Sequence, residues 1–309
     1  MTGVALRAPV LWLTDLGPMR HLVTRSRLGR RVALRFVAGE RLGDGIEAAR
    51  FLRGRGIATM LDHLGENVIS EAQASAAADG YVRALKRIAE ADDIDCNLAI
   101  KLTQLGLDLS QDLCLENTER VLAAAEPAGI LVMIDMESSG YVDRTLEVLR
   151  HLRGRHEGVG VAIQSMLRRS VEDVFALPAG APIRLVKGAY LEPPAIAHTS
   201  RRDVDRAFAR LFATLLSRGH PIHVATHDPR LLAGASALVE RRGLPWSRME
   251  LQMLYGIRED LQRSYAARGY PVRAYVPYGA EWYPYLTRRL AERPANLWFF
   301  VSNLLRRTR

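Results

Sequence analysis

Only two cysteines, Cys96 and Cys114, occur in 309 residues, and neither has a histidine at metal-ligand spacing. That scarcity excludes a disulfide framework and a cysteine-based zinc site, and it suits a reducing cytoplasm. No stretch approaches the apolar length of a membrane-spanning helix. Between Val4 and Leu13 the apolar character is broken by Arg7, Asp15 follows, and no small-residue cleavage site appears, so no signal peptide is predicted. No Gly-x-Gly-x-x-Gly follows an apolar run, which leaves a Rossmann dinucleotide site unsupported. His220, His223 and His227 lie close together, but no glutamate accompanies them at helical spacing and the segment reads as strand, so no metal is expected.

What is present is a chain with 48% hydrophobic residues, enough for a large core, and a formal net charge of +9. The basic balance permits anionic lipid, nucleic acid or acidic metabolites as partners without choosing among them. Its densest part is Arg20, Arg25, Arg27, Arg30, Arg31 and Arg35, a stretch without acids that reads as a solvated surface or a membrane or polyanion contact. Near the other end, Leu297 to Val301 with Leu304, Leu305, Arg306, Arg307 and Arg309 reads as core packing or as a membrane-facing edge.

From Ala58 onward, short apolar runs alternate with longer amphipathic ones. The predicted strands are 58–64, 97–102, 130–136, 160–166, 183–190, 222–226, 251–255 and 272–277. The helical patterns between them are 70–91, 117–125, 142–155, 170–176, 203–217, 229–242 and 260–268, several preceded by Ser, Asp or Asn where an N-cap belongs. Strand spacing near thirty residues is that of βα units, and near-continuous Val/Ile/Leu runs suit strands buried on both faces. Eight such units predict an α/β (βα)8 TIM barrel over 51–309 with an N-terminal helical arm over 1–50, and a doubly wound open sheet is the alternative.

In a barrel the C-terminal ends of the strands build the site. The polar residues closing the apolar runs are Asp62 and Glu66, Lys101, Asp135 with Glu137, Gln164, Arg184 with Lys187, Thr226 with His227, Gln252 with Tyr255, and Arg273 with Tyr275. Lys101 and Asp135 sit within apolar runs, where a charge is costly unless paired or used. Farther on, Tyr285 to Glu292 reads as a helix. Tyr285, Arg288 and Glu292 share one face, with Arg289 beside Tyr285, so a ring and two guanidinium groups converge on one pocket. Such a set suits a small carboxylate that carries an apolar ring.

These residues carry a resemblance. The runs Phe36 to Glu40, Ile100 to Leu102, Ile134 to Glu137, Ile163-Gln164, Arg184 to Tyr190, Ala225 to His227, Gln252 to Gly256, and Tyr285 with Arg288-Arg289 occur in the order of the monofunctional bacterial proline dehydrogenases, and the chain resembles that family from about residue 36 to 305. The resemblance implies a distorted (βα)8 barrel that holds FAD non-covalently and oxidises L-proline to Δ1-pyrroline-5-carboxylate. Electrons would pass to a membrane quinone, with peripheral membrane contact, and a separate pyrroline-5-carboxylate dehydrogenase would act next.

The same resemblance implies roles for residues. Lys101, Arg288 and Arg289 would pair with the substrate carboxylate, and Asp135 would hold Lys101. Leu185, Tyr190, Leu254, Tyr275 and Tyr285 would surround the pyrrolidine ring. Arg184 would approach flavin N5, with Gln164, Lys187, Gly188, Ala189, Thr226, His227 and Glu292 also at the cofactor. Glu40 would pair with Arg289 as a gate. Leu191 stands where some relatives place a Trp that stacks on adenine. The bottom-up chemistry agrees: the cofactor takes the hydride and the protein orients, tunes and excludes water. Rival expectations are another flavin barrel such as a methylenetetrahydrofolate reductase, which would have no use for the Lys101, Arg288, Arg289 set, and a basic nucleic-acid-binding protein.

Overall fold

The computed structural model describes residues 33–65 and 68–291, with side chains through Thr287. Eight parallel strands run β1 (Ala58–His63), β2 (Cys96–Ile100), β3 (Val132–Ile134), β4 (Val159–Gln164), β5 (Ile183–Val186), β6 (Ile222–Ala225), β7 (Met249–Leu254) and β8 (Val272–Tyr278). Each pairs with the next, and β8 pairs with β1 from Ala58 opposite Arg273 to His63 opposite Tyr278, so the sheet closes. Closure removes the open-sheet alternative. The helices are α1 (Leu42–Arg53), α2 (Glu71–Ala89), α3 (Gln111–Ala125), α4 (Val142–Arg153), α5 (Ser170–Phe175), α6 (Arg201–Ser217), α7 (Pro229–Arg241), α8 (Glu259–Ala267) and α9 (Trp282–Ala291).

The apolar runs became strands because both faces are covered. All six residues of β4 are buried, one face against helices and the other inside the barrel. Outside the sheet, one continuous core joins strands and helices, with Leu61, Leu98, Leu185 and Val224 fully buried in it. Inside, Met60, Ala99 and Met133 form a small apolar cluster under Tyr275. Helix starts follow cap chemistry: Ser70, Ser200 and Asp228 accept from the backbone N–H groups of Gln73, Asp203 and Arg230, and Pro229 occupies the first turn of α7. Helix α3 starts at Gln111, earlier than the pattern from Asn117 suggested, because Ser110 caps it through Leu113 N.

Two departures from a regular barrel bear on the site. Helix α1 precedes the first strand yet packs on β1 and β8. A Cβ on its Gly45 would lie 3.1 Å from Leu61, so the helix approaches the strand closely there. The boundary drawn at residue 50 falls inside this helix, which belongs to the barrel wall. Helix α9 follows β8 and brings Tyr285 to the cavity at the C-terminal strand ends. The turn after β7 is pinned by Gly256, whose φ is +70° and whose Cβ would overlap the backbone oxygen of Arg35 at 1.7 Å.

The interior is polar below the site on one side. Arg273, grouped with the strand-end residues in the sequence, lies near the start of β8 and plugs the barrel floor. Its Nε is 2.9 Å from both Glu250 carboxylate oxygens, and its Nη1 donates to Thr59 O at 2.7 Å and Asp95 Oδ1 at 2.9 Å. The basic segment from Arg20 to Arg31, Glu66, Glu292 and the terminal run from Leu297 lie outside the described residues. Among the described residues, no helix is long and apolar enough to cross a membrane.

Candidate active site

A cavity of about 570 Å³ opens at the C-terminal ends of the strands. Its wall collects Lys101, Asp135, Gln164, Arg184, Lys187, Gly188, Ala189, Tyr190, Thr226, His227, Leu254, Tyr275 and Tyr285, all singled out in the sequence, together with Asp62, Glu137, Arg201, Asp228 and Gln252. The period of two explains which strand residues reach it: Arg184 and Val186 point in, and Leu185 between them points out. Leu185 is fully buried in the surrounding core and does not line the cavity. Its expected contact with a substrate ring is therefore corrected to a packing role.

The deepest charged cluster spans β1, β2, β3, β5 and β8. The Lys101 ammonium donates to Asp62, and Asp135 Oδ2 lies 3.5 Å from it, beyond a good hydrogen bond. The nearer partner is thus Asp62, where the sequence reading gave Lys101 to Asp135. Asp135 meets Arg184 through its other oxygen and accepts the Tyr275 hydroxyl at 2.7 Å. Arg184 also touches Met60 Sδ at 3.3 Å, and its guanidinium sits 5.1 Å from the Tyr275 ring. Burial pulls Arg184 below its ordinary pKa, with Tyr275 and Asp62 opposing. For Lys101, burial also favours the neutral amine, but Asp62, Tyr81 and Glu137 together outweigh it and the net shift is upward. Burial, then Asp62, pushes the Tyr275 hydroxyl well above its usual value.

A second polar tier follows the rim. Gln164 Nε2 donates to the Glu137 carbonyl at 2.8 Å, and the Glu137 carboxylate accepts from Thr103 Oγ1 at 2.9 Å. Lys187 donates to Asp205 and to Asp228 at 3.2 Å, and Arg201 reaches Asp228 at 2.9 Å. Asp228, with burial opposing, is held down to about 2 by Arg201, the Arg230 backbone N–H and Lys187. His227 Nε2 accepts the Leu254 backbone N–H at 2.9 Å and fixes the end of β7. The other two histidines serve other partners: His220 Nδ1 is 2.9 Å from Ala181 O, and His223 Nδ1 is 3.0 Å from Glu250.

One clasp joins two loops of the rim. Glu192, just past Tyr190, accepts from Ser139 N at 2.7 Å and Ser139 Oγ at 2.6 Å, tying the loop after β5 to that after β3. Gln252 presents its Nε2 to Glu250 at 2.8 Å, and its Oε1 is buried without a hydrogen-bond partner. Asp62, Asp205, Arg201 and Glu192 were not assigned to the site from the sequence. Asp62 stood in the strand-end set, but only the register of β1 beside β2, with Asp62 opposite Ala99, brings it to Lys101.

Other expected site residues fall elsewhere. Glu40 lies in a separate small pocket with Val37, Arg41, Asp44 and Trp282. Tyr255 is absent from the cavity wall. Arg288 and Arg289 are on α9, but their side chains, like Glu292, lie outside the described residues, so the proposed gate with Glu40 has no observed geometry.

A family model described as Proline dehydrogenase matches residues 46–301. "Proline dehydrogenase" of Deinococcus radiodurans is 42% identical over 281 residues, 89% of this chain and 90% of that protein. "Proline dehydrogenase 1" of Bacillus subtilis is 38% identical over 283 residues, 91% of this chain and 92% of that protein. "Bifunctional protein PutA" of Escherichia coli is 26% identical over 87% of this chain, which spans 24% of its length. Among solved structures, proline utilization A from Bdellovibrio bacteriovorus, inactivated by N-propargylglycine, superposes with a TM-score of 0.79 at 26% identity, covering 85% of this chain and 32% of that one.

Proposed function

This chain belongs to the proline dehydrogenase family, and on that premise we propose that it binds FAD non-covalently in the barrel cavity, oxidises L-proline to Δ1-pyrroline-5-carboxylate and delivers the electrons to a quinone. The observation that carries the proposal is the cluster on the cavity wall in which Asp135 lies between Lys101 and Arg184, with Asp62 on Lys101 and the Tyr275 hydroxyl on Asp135.

The residues present fit the flavin. A buried guanidinium with its pKa pulled down gains from a neighbouring anion, and Arg184 offers that to a cofactor that gains electron density on reduction. The unpartnered Oε1 of Gln252 leaves an acceptor for a ligand N–H or O–H. Lys187 and Arg201 on the rim supply cations for a diphosphate. When bound, the flavin would accept the hydride from the substrate carbon next to nitrogen.

The chain's own residues then orient and select. Lys101 would hold the proline carboxylate. Lys101 and Arg184 are balanced by Asp62 and Asp135, so the excess positive charge for a substrate anion must come from Arg288 and Arg289, the first one turn beyond Tyr285 on α9. Tyr190, Leu254, Tyr275 and Tyr285 would pack on the ring and exclude water. A charge-balanced cavity without its ligand keeps these charges paired with each other, and a neutral amine would gain little from them. Glu40 is proposed to approach Arg289 on closure. Peripheral contact with the membrane would give access to the quinone, and a separate dehydrogenase would take the product.

The test is the visible spectrum of the purified protein, followed by anaerobic addition of L-proline. A yellow protein bleached by proline and left unchanged by hydroxyproline or NADPH is expected. A yellow protein indifferent to proline would redirect the assignment to another flavin barrel, and one colourless after added FAD would overturn it.

A further inference from the structure

Two carboxylates, Asp62 and Asp135, face two cations, Lys101 and Arg184, and the geometry divides them unequally. Asp62 is 2% exposed, is the penultimate residue of β1, and meets the Lys101 ammonium in direct contact. Asp135 follows β3 and gives one oxygen to Arg184 and the other to Tyr275 at 2.7 Å. The 3.5 Å from that second oxygen to Lys101 is an ion pair without a hydrogen bond.

We propose that Asp62 is the positioning residue for Lys101, while Asp135 positions Arg184 and Tyr275. The proposal rests on the reading of the cavity as a proline site. An ammonium has three donors. Asp62 occupies one from the floor of the cavity, which leaves the others to turn toward a substrate carboxylate. Asp62 is buried against the ammonium, so the pair forms a fixed base for the binding group. The parallel register supports it: Asp62 pairs with Ala99, two residues before Lys101, so the side chains rise from neighbouring strands. Without Asp62, the only other carboxylate within ion-pair distance of Lys101 among the described residues is Asp135. The ammonium would relax toward it, away from the substrate and against the contacts of Arg184 and Tyr275.

The experiment compares Asp62→Asn and Asp135→Asn in the flavin-loaded enzyme. Steady-state kinetics with L-proline are read beside the inhibition constant of tetrahydro-2-furoate, a ring carboxylate that lacks the oxidisable amine. Removing a hydrogen bond to a buried charge predicts a rise of about tenfold to a hundredfold in both KM and the inhibition constant for Asp62→Asn, with kcat changed far less. Asp135→Asn should show the opposite split, with kcat falling most. A double-variant cycle removes the ambiguity of folding: Lys101→Met with Asp62→Asn leaves no unpaired charge, and Asp62→Asn should add no further loss to Lys101→Met. Unchanged KM and inhibition constant in Asp62→Asn, or additive losses in the cycle, would overturn the assignment. Proline turnover by the unaltered enzyme is the control; its absence would defeat the proline reading itself and not this division of roles.

Discussion

The Tyr275 hydroxyl donates to Asp135 Oδ2 at 2.7 Å, joining β8 to the end of β3 across the mouth of the barrel. The same carboxylate meets Arg184 through its other oxygen, so both groups converge on it. The ring has a second task under the Arg184 guanidinium, 5.1 Å away. Tyr275→Phe separates the two. It should retain bound flavin and lower kcat/KM for L-proline about tenfold, the scale of one hydrogen bond to a charged group. Tyr275→Ala should fall further, because the ring is lost as well. Kinetics equal to wild type in Tyr275→Phe would show that the bond has no part in turnover.

Leu185 and Leu254 both resembled ring-packing residues in the sequence, and the structure separates them. Leu185 is 0% exposed in the core outside the barrel, whereas Leu254 lines the cavity. Leu185→Ala should cost about 2–5 kcal/mol of stability by leaving a void, with KM for proline unchanged. Leu254→Ala should raise KM severalfold at a smaller cost in stability. Denaturant melts and steady-state kinetics on both variants check the pair; a raised KM in Leu185→Ala at full flavin loading would return that residue to the site.

The contrast between these leucines shows what was legible. The eight strands were readable because parallel barrel strands are buried on both faces and therefore spell unbroken apolar runs. That same continuity hides which residues face in, so Leu185 beside Arg184 could not be told from a cavity residue. Lys101, Asp135, Gln164 and Arg184 stood out as polar groups at the ends of such runs. Asp62 ended one too, yet its attachment to Lys101 depends on strand register, and register between segments about forty residues apart is not written in either segment. β5 stops at Val186, short of Tyr190, because Gly188 turns at a φ of +112°. Arg273 misled for a related reason: a charge within an apolar run marks the floor of a barrel as well as its mouth.

The barrel floor contributes to the acid limit of stability. Burial would raise the Glu250 pKa, but His223 and Arg273, whose Nε–H is shared by both carboxylate oxygens, prevail and hold it at about 2, against an ordinary value of 4.5. A depressed carboxylate contributes stability above its unfolded pKa and loses it as the pH falls through its folded one. The window therefore runs from about pH 4.5 down to about 2, and the contribution is about 3 kcal/mol. Urea midpoints measured across that window should fall steeply in the wild type. Glu250→Gln should be less stable at neutral pH, because the buried Arg273 loses its Glu250 partner and keeps Asp95 as its carboxylate, and should show a shallower acid limb. An unchanged slope would mean that other carboxylates dominate.

Lys187 offers a test whose sign is set by competition. Its ammonium already meets Asp205 and Asp228, and Arg201, which is 80% exposed, shares Asp228. A diphosphate on this rim has to draw Lys187 away from at least one of those carboxylates. Lys187→Met should therefore weaken FAD binding about tenfold, with an unchanged KM for proline once flavin is saturating. Asp205→Asn should act in the opposite direction: it frees the ammonium and should tighten FAD severalfold. Asp228 is a poorer choice for this purpose, because its carboxylate also caps α7 through Arg230 N at 3.1 Å. Titration of flavin-stripped protein with FAD, followed by quenching of flavin fluorescence at two salt concentrations, reads both variants. Weaker binding in Asp205→Asn would show that the carboxylate steers Lys187 toward the cofactor and does not compete with it.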